Sequence, residues 1–228
     1  DRLPKRIRFG GTEAMSETKG IKAVLFDFDM TLADTSYAIE HCTNLLAEKF
    51  GLPKVSRQVV LQGIGLPIEA SWRHFWGDYK EEWLEYYRNN FRSAEQSMIR
   101  LFPGTIETIK SLSARGIKVG VVSNRYFAKR PVESTGLSPL LDTVVGLEDV
   151  EHPKPAPDSV LKGFERVGVS PAEGLYVGDT DIDMKTSIAA KTRGIGMTTG
   201  NFNEATLKAA GAWLVCGDLR EILTLEVF

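Results

Sequence analysis

Asp27 and Asp29 stand one residue apart directly behind an apolar run, in the stretch VLFDFDMTLADT at 24–35. Carboxylates are rarely buried without a partner, and crowding two of them raises the cost further. The pair therefore implies a cation, a proton or a reaction at that point. Three further stretches carry similar chemistry: Ser123 and Asn124 in VVSN (121–124), Lys154 in HPKPAPD (152–158), and Asp179 and Asp183 in VGDTDID (177–183). Carboxylates gathered with a lysine and a hydroxyl suit the handling of a phosphoryl group. A phosphate monoester repels an attacking carboxylate, since two unit charges 4 Å apart cost about 4 kcal/mol at an effective dielectric near 20. A divalent metal offsets that repulsion, and an oxygen-rich ligand set favours Mg²⁺ over zinc.

The elements that must position these residues follow from periodicity. IKAVLFDFD, IKVGVVS, GLYVGD, GIGMTT and AWLVCG read as short buried strands. PGTIETIKSLSARG is a helix with Ile106, Ile109 and Leu112 on one face, stopped at Gly116. APDSVLKGFERVG is another, with Val160, Leu161, Phe164 and Val167 turned inward, and TDIDMKTSIAAKT is a third. Strands alternating with helices predict an α/β fold, a doubly wound parallel sheet. Such sheets keep their functional groups beyond the carboxyl ends of the strands. Asp27, Asp29, Ser123 and Asp179 all fall there.

Between about Asp34 and Leu101 the texture changes. SYAIEHCTNLLAEKFG and DYKEEWLEYYRNNF have helical spacing, and Trp72, Trp76 and Trp83 fall in this region. It reads as an α-helical insertion with hinges near Leu32–Ser36 and Ile99–Gly104. The expected organisation is a polar tail at 1–19, an α/β core at 20–33 and 104–228, and a helical cap at 34–103.

In this order and on these elements, DFDMT (27–31), VVSN, HPKPAPD and VGDTDID resemble the four motifs of the haloacid dehalogenase superfamily. FPGTIETIKSLSARG, PKPAPD and GIGLPIEA bring the chain close to its phosphoglycolate phosphatase-like branch, and the resemblance covers about residues 21 to 217. It implies an Mg²⁺-dependent phosphatase acting on a small phosphate ester. Asp27 is then the nucleophile that forms an aspartyl-phosphate. Asp29 protonates the leaving oxygen and later takes a proton from water. Thr31, Ser123, Asn124 and Lys154 contact the substrate, and Asp27, Asp29, Asp179 and Asp183 hold or orient the metal. Asp181 is read as a helix-start residue, Arg125 as a candidate substrate-side hydrogen bonder beside Asn124, and His41, His74 and His152 show no metal-ligand spacing. One departure stands out. Met30 replaces the glycine usual in the first motif, which strains the loop if the position needs a positive φ.

Composition narrows the field. The chain has 228 residues, 25% charged and 43% hydrophobic, with a formal charge of −2. That gives no reason to expect nucleic acid or an anionic membrane as partner, and no apolar run is long enough to span a bilayer. Cys42 and Cys216 read as reduced thiols in a cytoplasmic protein. Asp29 favours phosphoester hydrolysis, with a β-phosphoglucomutase-like isomerase or a pyrophosphatase as alternatives on the same core. A phospho-accepting receiver module is disfavoured by the helical insertion. The segment LQGIGLPIEASWRHFWG (61–77) is the candidate specificity region; Arg73 within it reads as a solvated residue rather than an anion contact.

Overall fold

The computed structural model describes residues 20–228. The expected polar tail, residues 1–19, lies outside the described residues. The strands are β1 (Ala23–Phe26), β2 (Ala33–Asp34), β3 (Arg100–Leu101), β4 (Lys118–Val122), β5 (Thr143–Val145), β6 (Gly174–Gly178), β7 (Arg193–Met197) and β8 (Leu214–Cys216). Six of them form one parallel sheet in the order β5-β4-β1-β6-β7-β8. The chain winds outward from β1 in both directions. The β1/β6 boundary is thus the switch point where α/β sheets place their ligand crevice. Asp27 sits at that boundary, its N–H donating to the Val177 carbonyl at 2.7 Å.

A parallel sheet is covered on both faces, so its strands read as continuous apolar runs. All four residues of β1 are buried. Val24 and Phe26 join one core cluster with Val121, Val177 and Ile195. Ala23 and Leu25 join another with Val122, Val160 and Tyr176 on the opposite face. Helices α6 (Thr105–Ala114), α7 (Lys129–Ser134), α8 (Asp158–Val167), α9 (Asp181–Ala189) and α10 (Glu204–Ala209) accompany the sheet strands. The expected strands and helices are present, with two corrections to the inward faces. Ile106 is 44% exposed and Leu161 41% exposed. The buried stripe of α6 is Thr105, Thr108, Ile109 and Leu112, and that of α8 is Ser159, Val160, Gly163 and Phe164. In each helix the stripe follows i, i+3 and i+4 spacing, and it accepts a hydroxyl or a glycine where the apolar pattern alone had put Ile or Leu. Strand β5 has only three residues and was not foreseen.

Helices α1 (Ser36–Phe50), α2 (Arg57–Gly63), α3 (Ile68–Trp76), α4 (Glu81–Asn90) and α5 (Arg92–Met98) follow one another between β2 and β3. The chain enters this run through β2 and leaves it through β3. These two pair antiparallel, Ala33 opposite Leu101 and Asp34 opposite Arg100. The helices have their own core of Cys42, Leu46, Trp72, Trp83, Leu84 and Tyr87. Both cysteines are free and buried. No described helix is long and apolar enough to cross a membrane.

Candidate active site

The four motif stretches converge at the carboxyl end of the sheet. Lys154 is buried, and its ammonium donates to Asp27 Oδ1 at 2.8 Å, Asp183 Oδ1 at 2.7 Å and the Tyr176 hydroxyl at 2.9 Å. Tyr176 in turn donates to Asp183 Oδ1 at 2.8 Å. Asn124 holds the lysine segment in place. Its Oδ1 accepts from the Lys154 N–H at 2.9 Å, while its Nδ2 donates to the Lys154 carbonyl at 3.2 Å and the Gly65 carbonyl at 2.9 Å. That last contact draws the α2–α3 loop over the site. Gly65 has φ 96°, and a side chain there would stand 3.1 Å from Thr180 Cγ2, so the approach needs glycine.

Asp179 and Asp183 are positioned by the start of α9. Thr180 caps that helix: its hydroxyl accepts from the Asp183 N–H at 3.1 Å, and Asp183 Oδ2 accepts from the Thr180 N–H at 3.1 Å. This is the reciprocal capping arrangement of a Thr with an acid three residues on. Asp183 is fully buried, and both its oxygens already accept from protein donors. Asp179 Oδ1 accepts from the Thr31 hydroxyl at 3.0 Å. Thr31 is thus turned to a carboxylate in this structure. Ser123 is buried with its hydroxyl accepting from the Arg125 N–H at 3.2 Å. Asp181 starts α9 and pairs with Lys185 at i+4. His152 pairs with Asp158 at 2.9 Å on the exposed side of the third motif. Arg73 stacks over Tyr79 at 5.4 Å rather than facing this site.

Carboxylate oxygens of Asp27, Asp179 and Asp183 all lie within 4.8 Å of one another. Three carboxylates against one ammonium leave two negative charges uncompensated, which matches a divalent cation. The electrostatics agree. Burial pushes the Asp27 carboxyl up to about 7, with Lys154 opposing and Asp183 and Asp29 adding to the rise. Burial, then Asp183 and Asp27, drive Asp179 well above the ordinary carboxylate range. Lys154 is held charged: burial works against its ammonium, but Asp183 and Asp27 outweigh it. An all-oxygen set of this charge suits a hard cation.

Asp29 differs from the expectation that it joins this ligand group. Its carboxylate faces Arg125, whose Nε lies 2.7 Å from Oδ2 and whose Nη2 lies 2.7 Å from Oδ1. The fork-on-carboxylate geometry explains why Asp29 is drawn to Arg125 rather than to the other aspartates. Burial would raise the Asp29 carboxyl, but Arg125, helped by Thr35, brings it below its usual value. Arg125 also pairs with Glu95 of α5, and Glu95 accepts from the Tyr87 hydroxyl of α4. A buried chain of polar groups therefore runs from Asp29 into the helical run. Tyr176 and Glu95 escaped the sequence reading. Glu95 did leave a trace: it interrupts the i, i+4 series Phe91, Glu95, Ile99 with a charge.

Met30 has φ 57°, so the position does take the left-handed conformation its family counterpart reserves for glycine. Its buried side chain packs against Val55, Val60 and Ile64 of the helical run.

Residues 24–197 match the family model described as haloacid dehalogenase-like hydrolase. The chain belongs to that family. It is an enzyme, and its relatives are named phosphatases. It is 29% identical over 184 residues to the pyrophosphatase PpaX of Bacillus velezensis, covering 79% of this chain and 85% of that one. It is 30% identical to the phosphoglycolate phosphatase of Aquifex aeolicus, covering 76% of this chain and 83% of that one. Among solved structures, a haloacid dehalogenase-like hydrolase from Bacteroides fragilis superposes with a TM-score of 0.79 at 30% identity, over 89% of this chain and 99% of that one.

Proposed function

We propose that the protein is a magnesium-dependent phosphatase that hydrolyses a small, phosphoglycolate-like phosphate ester through an aspartyl-phosphate on Asp27. The observation that carries this reading is the buried Asp27 carboxylate, held by Lys154 and flanked by Asp179 and Asp183 at the sheet's switch point. Asp27 and Asp179 would hold the magnesium ion, with Asp183 orienting the set because its own oxygens are engaged. When bound, the ion neutralises carboxylate and phosphate charge.

In the first step an Asp27 oxygen bonds to phosphorus, the ester P–O bond breaks, and the leaving oxygen takes a proton from Asp29. In the second a water oxygen attacks phosphorus, Asp29 receives the water's proton, and the Asp27–phosphorus bond breaks to release phosphate. Arg125 covers both Asp29 oxygens and favours the ionised carboxylate in this structure. The pair therefore opens at one oxygen, and Asp29 takes up a proton from solvent before it gives one to the leaving oxygen. Lys154 and Ser123 steady the oxygens of the transferring group. Asn124 keeps Lys154 in place, and Thr31 keeps Asp179 in place. Helices at 34–103 act as a cap over a core of 20–33 and 104–228. Two buried free thiols fit a reducing compartment, and we place the protein in the cytoplasm.

The test is a panel of phosphate esters with purified protein and Mg²⁺: phosphoglycolate, pyrophosphate, p-nitrophenyl phosphate and β-glucose 1-phosphate with a trace of its bisphosphate. Free phosphate from the small substrates supports the reading. Glucose 6-phosphate accumulating faster than free phosphate would replace it with a mutase.

A further inference from the structure

Past Asp29 the site opens into a cavity of about 120 Å³ between the helical run and the loop after β4. Its charged lining is Asp29, Glu95, Arg88, Arg92 and Arg125: two carboxylates against three guanidiniums. Both carboxylates are already committed, Asp29 to Arg125 and Glu95 to Arg125 and Tyr87. Neither is hydrogen-bonded to Arg88 or Arg92. The Arg88 Nε is buried without a hydrogen-bond partner among the described residues, its guanidinium stacked over Tyr126 at 5.5 Å. Arg92 stacks over Phe127 at 5.4 Å, and Arg130 faces the same ring at 5.2 Å. Burial, then repulsion from Arg130 and Arg88, weakens the Arg92 guanidinium's hold on its proton.

Arg125 has capacity to spare. A guanidinium carries one N–H on Nε and two on each terminal nitrogen. Here Nε and one N–H of each terminal nitrogen are engaged, so Nη1 and Nη2 each keep a donor. The side chain is 22% exposed, which leaves those donors a route to a ligand. Arg88 also borders an adjoining pocket lined by Glu69, Glu81 and Glu148, yet its Nε keeps an unpaired buried donor. With Arg92 and the spare donors of Arg125 it offers charge-assisted hydrogen bonds to an anion from outside. Among the residues that line this cavity the excess is a single positive charge, which fits a monoanion better than a phosphate dianion.

We propose that this cavity is a second anion-binding subsite, which takes a carboxylate carried by the leaving group, with Arg125 as its specificity-determining residue. The assignment rests on the hydrolase reading for the direction of the leaving group. Arg125 then bridges the residue that handles the leaving oxygen and the charge two or three bonds away from it. Arg88 and Arg92 approach from the helical side, so the anion joins the two halves of the site. Ile64, Leu66 and Phe75 add apolar surface to the lining, beside the polar Thr43, Ser71, Gln96 and Asn124.

The experiment is calorimetric titration of Asp27→Asn protein in Mg²⁺ with 2-phosphoglycolate, its neutral amide and pyrophosphate, beside phosphate release by the unmodified protein. Phosphoglycolate should bind about tenfold or more tighter than the amide, the size expected for hydrogen bonds to a charged group. Arg88→Met, at a half-buried helix position that should fold normally, should remove most of that preference. Arg125→Met should remove it as well, and Arg125→Lys should keep part of it. Equal binding of acid and amide would overturn the proposal, as would a preference indifferent to both methionine variants. Pyrophosphate binding tighter than phosphoglycolate would overturn the carboxylate assignment. Acid-selective binding that needs Arg88, without phosphate release from any ester, would leave the subsite standing and remove the hydrolase reading instead.

Discussion

The Asp27 cluster and the Arg125 cavity meet at one short loop and carry opposite charge excesses. On the sheet side, Asp27, Asp179 and Asp183 outnumber Lys154 and leave a negative surplus. In the lining of the cavity, Arg88, Arg92 and Arg125 outnumber Asp29 and Glu95 and leave a positive one. Each surplus would be costly as a permanent feature of a buried site. Side by side they describe a ligand set with the complementary pattern: a cation at the sheet end and an anion on the far side of the reacting bond. The two regions also differ in rigidity of support. The cluster hangs from strand ends and the capped start of α9, whereas the cavity depends on α4 and α5 staying closed over the loop after β4.

The largest effect should come from breaking the sheet side. Asp27→Asn keeps the shape and removes the nucleophile, so phosphate release should fall by roughly four orders of magnitude or more. Stability should not suffer, because the removed carboxylate is one that burial disfavours. Turnover within tenfold of the unmodified protein would dissolve the cluster's role. Asp29→Asn acts at the junction of the two regions and should cost about 10²–10⁴ on esters with poor leaving groups, the range of general acid–base catalysis. It should cost much less on p-nitrophenyl phosphate. Equal losses on both substrates would assign Asp29 to holding Arg125 alone.

A third prediction separates the regions by pH. In the metal-free protein, Asp27 has a folded pKa of about 7, above its unfolded value of 3.8. Between those values the folded state binds more protons than the unfolded one, so stability falls as pH rises from about 4 to about 7. The raised Asp179 carboxyl works in the same direction. Asp29 has the opposite sign: Arg125 depresses it, so its contribution is lost only as pH falls below the ordinary carboxylate range. Thermal midpoints at low ionic strength should therefore drop across that window without Mg²⁺, and adding Mg²⁺ at pH 7 should restore them. Midpoints that stay flat with chelator present would mean the cluster's charge is balanced in some other way.

The same contrast decides what could be read from the sequence. The sheet side was most legible where a residue follows its strand directly: Asp27 after β1, Ser123 after β4 and Asp179 after β6. A buried strand announces itself as an apolar run, and a charge at its end is conspicuous. The parallel sheet and the helical texture of 34–103 were legible for similar reasons of periodicity. The Arg125–Glu95 pair was not. It joins a loop to a helix from the inserted run, and only the closure of that run against the core brings the two side chains together. Tyr176 was hidden because a tyrosine in a buried strand looks apolar until its hydroxyl is located. Thr31 and Asn124 were recognised as site residues, but their observed partners, a carboxylate and the Lys154 backbone, depend on rotamers that no pattern encodes. Ile106 and Leu161 show the limit of apolar spacing, since α6 and α8 bury hydroxyls and a glycine in their place.

The smallest effect is expected at Met30, the residue that ties the two regions together. Its backbone is left-handed, which costs a non-glycine residue about 1–2 kcal/mol. Its side chain is buried against Val60 and Ile64 of the helical run, worth roughly 1.5–3 kcal/mol. Met30→Gly therefore relieves strain and loses packing, for a net loss of about 1 kcal/mol and a midpoint lowered by about 2–4 °C. Met30→Ala loses the packing and keeps the strain, so it should fall further than Met30→Gly despite being the milder change in composition. That order is the informative result, because most buried sites rank alanine above glycine. Alanine proving the more stable of the two would mean that the φ of 57° at this position carries no strain worth relieving. If glycine in turn matches methionine, the contact with Val60 and Ile64 contributes nothing, and the loop of Asp27 and Asp29 is held by the sheet alone.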